Sequence, residues 1–202
     1  MGKSSSFLSK TEIMDAAEQT LRRFGPDKTS VTDVAKLLGV SHGTLYRHFP
    51  SKAALREAVT ERWLEEQILV PLKQVADAPA DNALAQLRIY IARLIQLKHH
   101  YAEQDSEMFK MYSDVTMEAA ELIEVHIQQI IEQMSTLIDR GIQQKRIAQS
   151  AETRSLARSL FNATSRFHHP AHAHEWQSAS IEQEFGQLWL LLEQGLTASI
   201  HE

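Results

Sequence analysis

The chain has 202 residues, of which 43% are hydrophobic and 23% are charged, as in globular proteins with enough apolar material for a packed core. It contains no cysteine, which excludes disulfides, thiolate metal sites and cysteine nucleophiles, and no apolar run approaches the roughly 20 residues that would span a bilayer. The formal net charge of −5 is uneven: residues 1–63 hold ten basic and seven acidic side chains, and the remainder holds eleven and nineteen.

This charge distribution separates two parts of the chain. The basic N-terminal third tolerates phosphate groups, whereas the acidic remainder repels them. The first residues lack the apolar stretch of a secretory signal, and the absence of cysteine fits a reducing compartment. We therefore expect a cytoplasmic protein without a membrane partner.

Apolar residues recur throughout with a period close to 3.6, which predicts an all-α protein of about nine helices. After a flexible tail over residues 1–8, short helices are expected at about 11–24, 31–38 and 42–48, each preceded by a serine that can cap it and followed by Gly or Pro. A fourth helix is expected either to end near residue 70 or to bend there and continue to 76. The four capping serines are Ser9, Ser30, Ser41 and Ser51.

The second half of the chain begins after a linker of small and polar residues at 76–81. Longer helices are predicted at about 82–101, 107–112, 115–142, 152–167 and 181–200. Residues 168–174 contain four histidines and a proline, which predicts a flexible loop. Loop histidines without fixed supporting contacts make unselective metal sites, so we predict no resident metal or cofactor, although metal binding by this loop stays open.

Residues 31–50 read VTDVAKLLGVSHGTLYRHFP and meet each requirement of a helix-turn-helix. Ala35 is the small residue needed where the two helices meet, Gly39 can adopt the positive φ of the turn, and Ser41 can cap the second helix. The alternative is a plain helical hairpin inside a globular core, which does not require this combination. The apolar residues that would wedge the two helices together are Val34, Leu38, Val40 and Leu45.

The exposed side of the second helix carries no carboxylate. Its side chains can donate hydrogen bonds, and its glycine permits close backbone approach, as expected of a recognition helix in the major groove of DNA. These residues are His42, Gly43, Thr44, Tyr46, Arg47 and His48.

The stretch TSVTDVAKLLGVSHGTLYRHFPSKAALREAV closely resembles the N-terminal signature of the TetR family of bacterial transcriptional regulators. The strong resemblance covers about residues 9–62. It implies a helix-turn-helix DNA-binding domain over 9–50, a connecting helix over 51–76, and a ligand-binding and dimerisation domain over 77–202.

The resemblance also implies individual roles at the DNA. Tyr46 and Lys52 would anchor phosphates, while Ser30 and Thr32 would contact the DNA backbone. His42 occupies a position that often sets sequence preference in the family. The residues expected to face the groove are Ser41, Thr44, Arg47 and His48.

The C-terminal part offers weaker signals for a ligand pocket and for a dimer interface. Methionine and aromatic residues form adaptable apolar cavities, although a cluster of them at helical spacing more often belongs to an ordinary core. The last helix is apolar over more than one face, which favours a homodimer over burial within the monomer. The pocket candidates are Trp63, Tyr90, Met108, Phe109, Tyr112, Met117, His126 and Phe161. The interface candidates are Phe185, Leu188, Trp189, Leu192 and Leu196.

The leading functional hypothesis is a repressor that binds a near-palindromic double-stranded DNA operator as a homodimer and is released by a small-molecule ligand. The alternatives are a ligand-independent DNA-binding regulator and a helix-turn-helix used as a protein adaptor. An enzyme is not predicted, because the sequence lacks paired Glu-x-x-His motifs, a phosphate loop, a dinucleotide fingerprint and a nucleophile elbow.

Overall fold

The computed structural model describes residues 8–149 and 151–197, and the regular elements in those ranges are all helical, which confirms the predicted fold class. The α-helices are α1 Lys10–Phe24, α2 Val31–Leu38, α3 His42–His48, α4 Lys52–Leu64, α5 Val70–Asp77, α6 Ala83–Gln104, α7 Ser106–Glu118, α8 Ala120–Gln143, α9 Thr153–Ala163 and α10 Ile181–Thr197. The predicted tail and the last residues predicted for the final helix lie outside the described residues, except for Leu8, which packs against the core.

The three N-terminal helices begin where their serines predict. Ser9 and Ser30 each form a capping box, and the Ser41 hydroxyl accepts a hydrogen bond from the backbone N–H of Thr44. These bonds satisfy amide groups that have no partner within their helices. The apolar side chains between the helices are fully buried, among them Ile13, Ala17, Val34, Ala35 and Leu45.

The turn between α2 and α3 depends on one glycine. Gly39 has φ 66° and ψ 32°, in the left-handed region, and a Cβ built there would meet no atom within 4 Å. A substitution would therefore be opposed by backbone conformation alone.

We expect Gly39→Ala to lower the free energy of unfolding by about 1–2 kcal/mol, as measured by urea denaturation. Gly43→Ala is the matched control, because Gly43 lies in helical backbone within the same motif, where alanine should stabilise by about 0.5–1 kcal/mol. Equal effects at both positions would contradict the role assigned to the turn.

The connecting helix continues past residue 70, which is the second of the two predicted alternatives. A π-helical turn, Glu65–Leu69, joins α4 to α5, and its flanking residues keep right-handed helical backbone angles. Pro71 has no N–H to donate, so a regular α-helical hydrogen bond to the preceding turn is impossible there. The wider turn is a local irregularity of the kind often found at functional positions in helices.

The C-terminal helices depart from the sequence prediction at two places. The helix predicted at about 107–112 extends over the whole of α7, and the chain breaks at Ala119 (φ −123°, ψ 66°) before α8 begins. Where the sequence predicts a flexible loop over 168–174, Ser165–Phe167 and Pro170–Glu175 form two 3-10 turns, and Pro170 and His168 are buried. Among the helices described, none is long and apolar enough to cross a bilayer.

Candidate nucleic-acid interface

The helix-turn-helix is held together by backbone hydrogen bonds around its turn. The N–H of Val40 donates to the carbonyl of Ala35 at 3.0 Å, and the N–H of Gly39 donates to Lys36 at 3.2 Å. Leu45 on α3 is fully buried, and Phe49 at the end of α3 is 2% exposed. The burial of these two side chains determines which side of α3 faces the core, and therefore which side faces solvent.

That opposite side is polar and accessible. The Tyr46 side chain is 48% exposed, although an aromatic residue in a short helix is usually buried. His42, Gly43 and Arg47 are exposed, and Thr44 and His48 are half-buried. Thr44 Oγ1 lies 2.9 Å from Ser41 Oγ. The Arg47 guanidinium donates a hydrogen bond of 3.5 Å to the same Thr44 Oγ1. The face therefore presents hydroxyl, imidazole and guanidinium donors and no carboxylate of its own.

Two of the residues expected at the DNA backbone have partners within the protein. The Ser30 hydroxyl donates to the Asp33 carboxylate, and this hydrogen bond lowers the pKa of Asp33 below its usual range. The hydroxyl hydrogen of Ser30 is therefore already used and cannot be donated to a phosphate. Thr32 is half-buried and does not serve as the cap of α2, which is Ser30. The Lys52 ammonium donates one hydrogen bond to the Asp27 carbonyl at 3.1 Å, which leaves two of its hydrogens for other acceptors.

The predicted pocket residues separate into three groups. Trp63, Tyr90, Met108 and Phe109 are core residues. Met117 is 79% exposed at the end of α7, so it lies outside the core. Tyr112, His126 and Phe161 line one small internal cavity of about 20 Å³ between α6, α7, α8 and α9.

Lys98 lines the same cavity and was not among the residues predicted from sequence. It is 2% exposed, and its ammonium lies 3.9 Å from the centroid of the Tyr112 ring. The sequence does contain a pattern that indicates its burial, because Lys98 continues the helical spacing of Leu87, Ile91 and Leu94 along the buried face of α6. Burial lowers the pKa of Lys98 from its ordinary value to about 7.

The predicted interface residues also need correction. Trp189 is 1% exposed and Leu196 is 6% exposed, so both belong to the protomer's interior and cannot contribute area to an interface. Phe185, Leu188 and Leu192 are half-buried against the core. The exposed apolar side chains of α10 are instead Leu190, at 59%, and Leu191, at 68%.

Three of the four histidines of segment 168–174 make hydrogen bonds to neighbouring residues, whereas the His174 side chain is 76% exposed. His168 is buried beside the Phe161 ring, and this burial lowers its pKa to about 3. His172 Nδ1 lies 2.8 Å from Glu175, which also binds Arg166. In the part of the chain that the structure describes, no three potential metal-ligating side chains come together.

Two family models match this chain. The model described as "Bacterial regulatory proteins, tetR family" matches residues 13–59, and "Tetracyclin repressor-like, C-terminal domain" matches residues 83–189. The first match contains α2, α3 and parts of α1 and α4, and the second contains α6 to α9 and part of α10.

Similar proteins include nucleoid occlusion factors and solved regulators. The nucleoid occlusion factor SlmA of Marinomonas sp. (strain MWYL1) is 26% identical over 141 residues, which are 69% of this chain and 68% of that protein. The SlmA of Vibrio cholerae is 28% identical over 140 residues, covering 68% of each.

Two solved structures share the fold. FadR from Bacillus subtilis, a transcriptional regulator in complex with stearoyl-CoA, aligns with a TM-score of 0.65 at 18% identity, covering 93% of this chain and 99% of FadR. A transcriptional regulator from Pectobacterium atrosepticum aligns with a TM-score of 0.64 at 21% identity, covering 92% of each chain.

Proposed function

This chain belongs to the TetR family of bacterial regulatory proteins, and on that basis we propose that it is a cytoplasmic, ligand-responsive repressor that binds a near-palindromic operator as a homodimer. Members of this family are DNA-binding regulators and not enzymes. The proposal assigns DNA binding to residues 9–50, the connection to 51–76, and ligand binding and dimerisation to 77–202.

The observation that carries DNA binding is the acid-free polar face of α3. Leu45 and Phe49 are buried against the core. His42, Tyr46 and Arg47 lie on the opposite, exposed side of α3. Such a helix can enter the major groove, where guanidinium and imidazole groups donate to base edges and a tyrosine hydroxyl can donate to phosphate. We assign Ser41, Thr44 and His48 to the groove and Lys52 to a phosphate, while Gly43 allows close approach of the DNA backbone.

The observation that supports a homodimer is the exposed apolar surface of α10. Only three of its 17 residues are buried in the protomer, although the helix contains Leu190 and Leu191 on its open side. A second copy would cover this surface and place two recognition helices about one turn of DNA apart.

We expect the double variant Leu190→Glu/Leu191→Glu to be monomeric at micromolar concentrations where the unmodified chain is dimeric, because buried carboxylates at a twofold contact would repel each other. Light scattering coupled to gel filtration measures the mass directly. Ile89→Glu, at an exposed apolar position on α6, is the control and should stay dimeric. A dimeric double variant would exclude α10 as the interface.

α7 connects the C-terminal helices to the DNA-binding helices. α7 buries Met108, Met111 and Tyr112, while its N-cap residue Asp105 and its more exposed side chains form ion pairs. These pairs are Arg22–Asp105 at 3.0 Å, Arg56–Asp114 at 3.3 Å, Arg56–Glu118 at 3.3 Å, and Lys110–Asp27. A ligand that moves Tyr112 would therefore move the support of α1 and α4, provided that it prefers one arrangement over the other.

A double-mutant cycle of Arg56→Met and Asp114→Asn should give a coupling free energy of about 0.5–1 kcal/mol in urea unfolding, because the Arg56 side chain is only 17% exposed. The exposed Lys73–Asp77 pair on α5, at 63% exposure of both side chains, is the reference and should give less. A coupling no larger than that reference would mean that α7 is not tied to α4 by this pair.

The proposed function is tested by selecting genomic fragments with the purified protein and measuring binding to them in a mobility-shift assay. Specific binding that weakens steeply with salt supports the repressor and excludes a protein adaptor. The ligand-independent alternative predicts that no small molecule releases the fragment. Absence of any specifically bound fragment would overturn DNA binding by this chain.

A further inference from the structure

The C-terminal helices contain a buried cation without a counter-ion. Lys98 is fully enclosed, and its Nζ has no hydrogen-bond partner among residues 8–149 and 151–197. Both ring nitrogens of His126, buried on α8, likewise lack partners within those ranges. Buried polar groups are almost always hydrogen-bonded, and a lone buried charge is especially costly. Three unpartnered polar atoms around one cavity therefore call for a functional explanation.

The surroundings of Lys98 define what could satisfy it. The cavity is lined by Tyr112, Thr116, His126, His168 and His169, and no carboxylate lies in its described wall. The remaining wall is apolar, formed by Leu94, Ile123, Ile127, Ile130 and Phe161. The site thus offers the Lys98 ammonium and an unpartnered imidazole of His126 beside apolar side chains, which matches an anionic head on an apolar body.

The cavity has room for about one water, but it adjoins a larger space. His126 lines both the 20 Å³ cavity and a surface groove of about 520 Å³ between α1, α4 and α8. The groove is bordered by Leu64, Glu65, Glu66 and Leu69, at the π-helical turn. Because His126 is shared by the two linings, a ligand that displaces its ring would reach from Lys98 to the groove beside the connecting helix.

We propose that Lys98 is the anion-binding residue of the regulatory ligand site, and that the ligand is a monocarboxylate with an apolar body. Its carboxylate pairs with the Lys98 ammonium and accepts a hydrogen bond from His126, and its apolar part extends past the His126 ring into the groove beside Leu64, Leu69 and Leu122. This inference rests on the proposed ligand-responsive function, because it specifies the chemistry of that same site.

The test compares matched acids and amides on the full-length protein by isothermal titration calorimetry at pH 6.5. The probes are octanoate against octanamide and benzoate against benzamide, which differ only in head-group charge. We expect at least one acid to bind at least tenfold more tightly than its amide. Because this comparison uses the unmodified chain, it does not depend on a variant folding correctly.

Lys98→Met retains the length and packing of the side chain but removes the charge. We expect it to weaken binding of the acid at least tenfold and to leave binding of the amide unchanged. Lys73→Met removes an exposed cation instead and should alter neither affinity. The inference is overturned if no acid binds, if the amides bind equally well, or if Lys98→Met keeps the affinity for the acid.

Operator binding separates this inference from the function on which it rests. We expect Lys98→Met to bind the selected operator fragment as the unmodified chain does, but to resist release by the acid. A protein that binds its operator yet shows no preference for acids would refute the carboxylate site alone. A protein that prefers acids but binds no specific DNA would refute the repressor and retain the site.

Discussion

Arg47→Ala and Tyr46→Ala are each expected to weaken operator binding by about tenfold to a hundredfold, which corresponds to roughly 1–3 kcal/mol for one base or phosphate contact. Both side chains lie on the exposed face of α3 and contribute little to the core. The loss should therefore appear in the dissociation constant measured by fluorescence anisotropy, while urea unfolding of the free protein changes by less than about 0.5 kcal/mol.

The two variants should weaken DNA binding in different ways. A residue that reads a base edge weakens specific binding more than non-specific binding, whereas a phosphate contact weakens both and lowers the salt dependence by about one counterion. We assign Arg47 to the first class and Tyr46 to the second. Lys52→Ala should have a smaller effect than either, because the Lys52 ammonium also binds the Asp27 carbonyl.

Lys73→Ala is the control for these measurements, since it removes an exposed cation on α5, in the connecting helix. It should leave operator affinity unchanged within about twofold. If Arg47→Ala and Tyr46→Ala also stayed within that range, the polar face of α3 would not be the DNA-binding surface, and the orientation proposed for the helix-turn-helix would be wrong.

The features that local chemistry determines could be predicted from the sequence. The caps at Ser9, Ser30 and Ser41 and the left-handed turn at Gly39 each depend on a few neighbouring residues, and all are observed. The polar face of α3 follows from the same register, because burial of Leu45 and Phe49 leaves Tyr46 outside. Local structure and the candidate DNA-binding surface were therefore accessible without coordinates.

The features that depend on packing between distant helices were not predicted. Trp189 and Leu190 are adjacent in an apolar helix, and only the arrangement of the neighbouring helices decides that the first is buried and the second exposed. Lys98 occupies a position that apolar spacing marks as core, but a lysine there is ordinarily expected to reach solvent. Met117 is exposed in the last turn of α7, just before the break at Ala119, and apolar spacing alone did not locate that break.

Lys98→Met is expected to raise the free energy of unfolding by roughly 3–5 kcal/mol at pH 7, because it removes a buried charge that has no counter-ion while preserving the packing of the side chain. Burial lowers the pKa of Lys98 from 10.5 in the unfolded chain to about 7 in the folded protein. The folded state thus releases a proton that the unfolded state retains between these two values. The resulting destabilisation is complete below about pH 7 and fades as the pH rises toward 10.5.

The stability difference between Lys98→Met and the unmodified chain should therefore shrink by about 2 kcal/mol between pH 7 and pH 9, as measured by urea unfolding at each pH. The titratable side chains around Lys98 should not alter this dependence of the stability difference on pH. Burial lowers the pKa of His126, His168 and His169 and raises that of Tyr112, so all four remain neutral in the folded protein across this range. Lys73→Met, at an exposed position, should instead run parallel to the unmodified chain. A Lys98→Met variant that is less stable than the unmodified chain, or a difference independent of pH, would show that the Lys98 charge is compensated and would remove the reason for an anionic ligand.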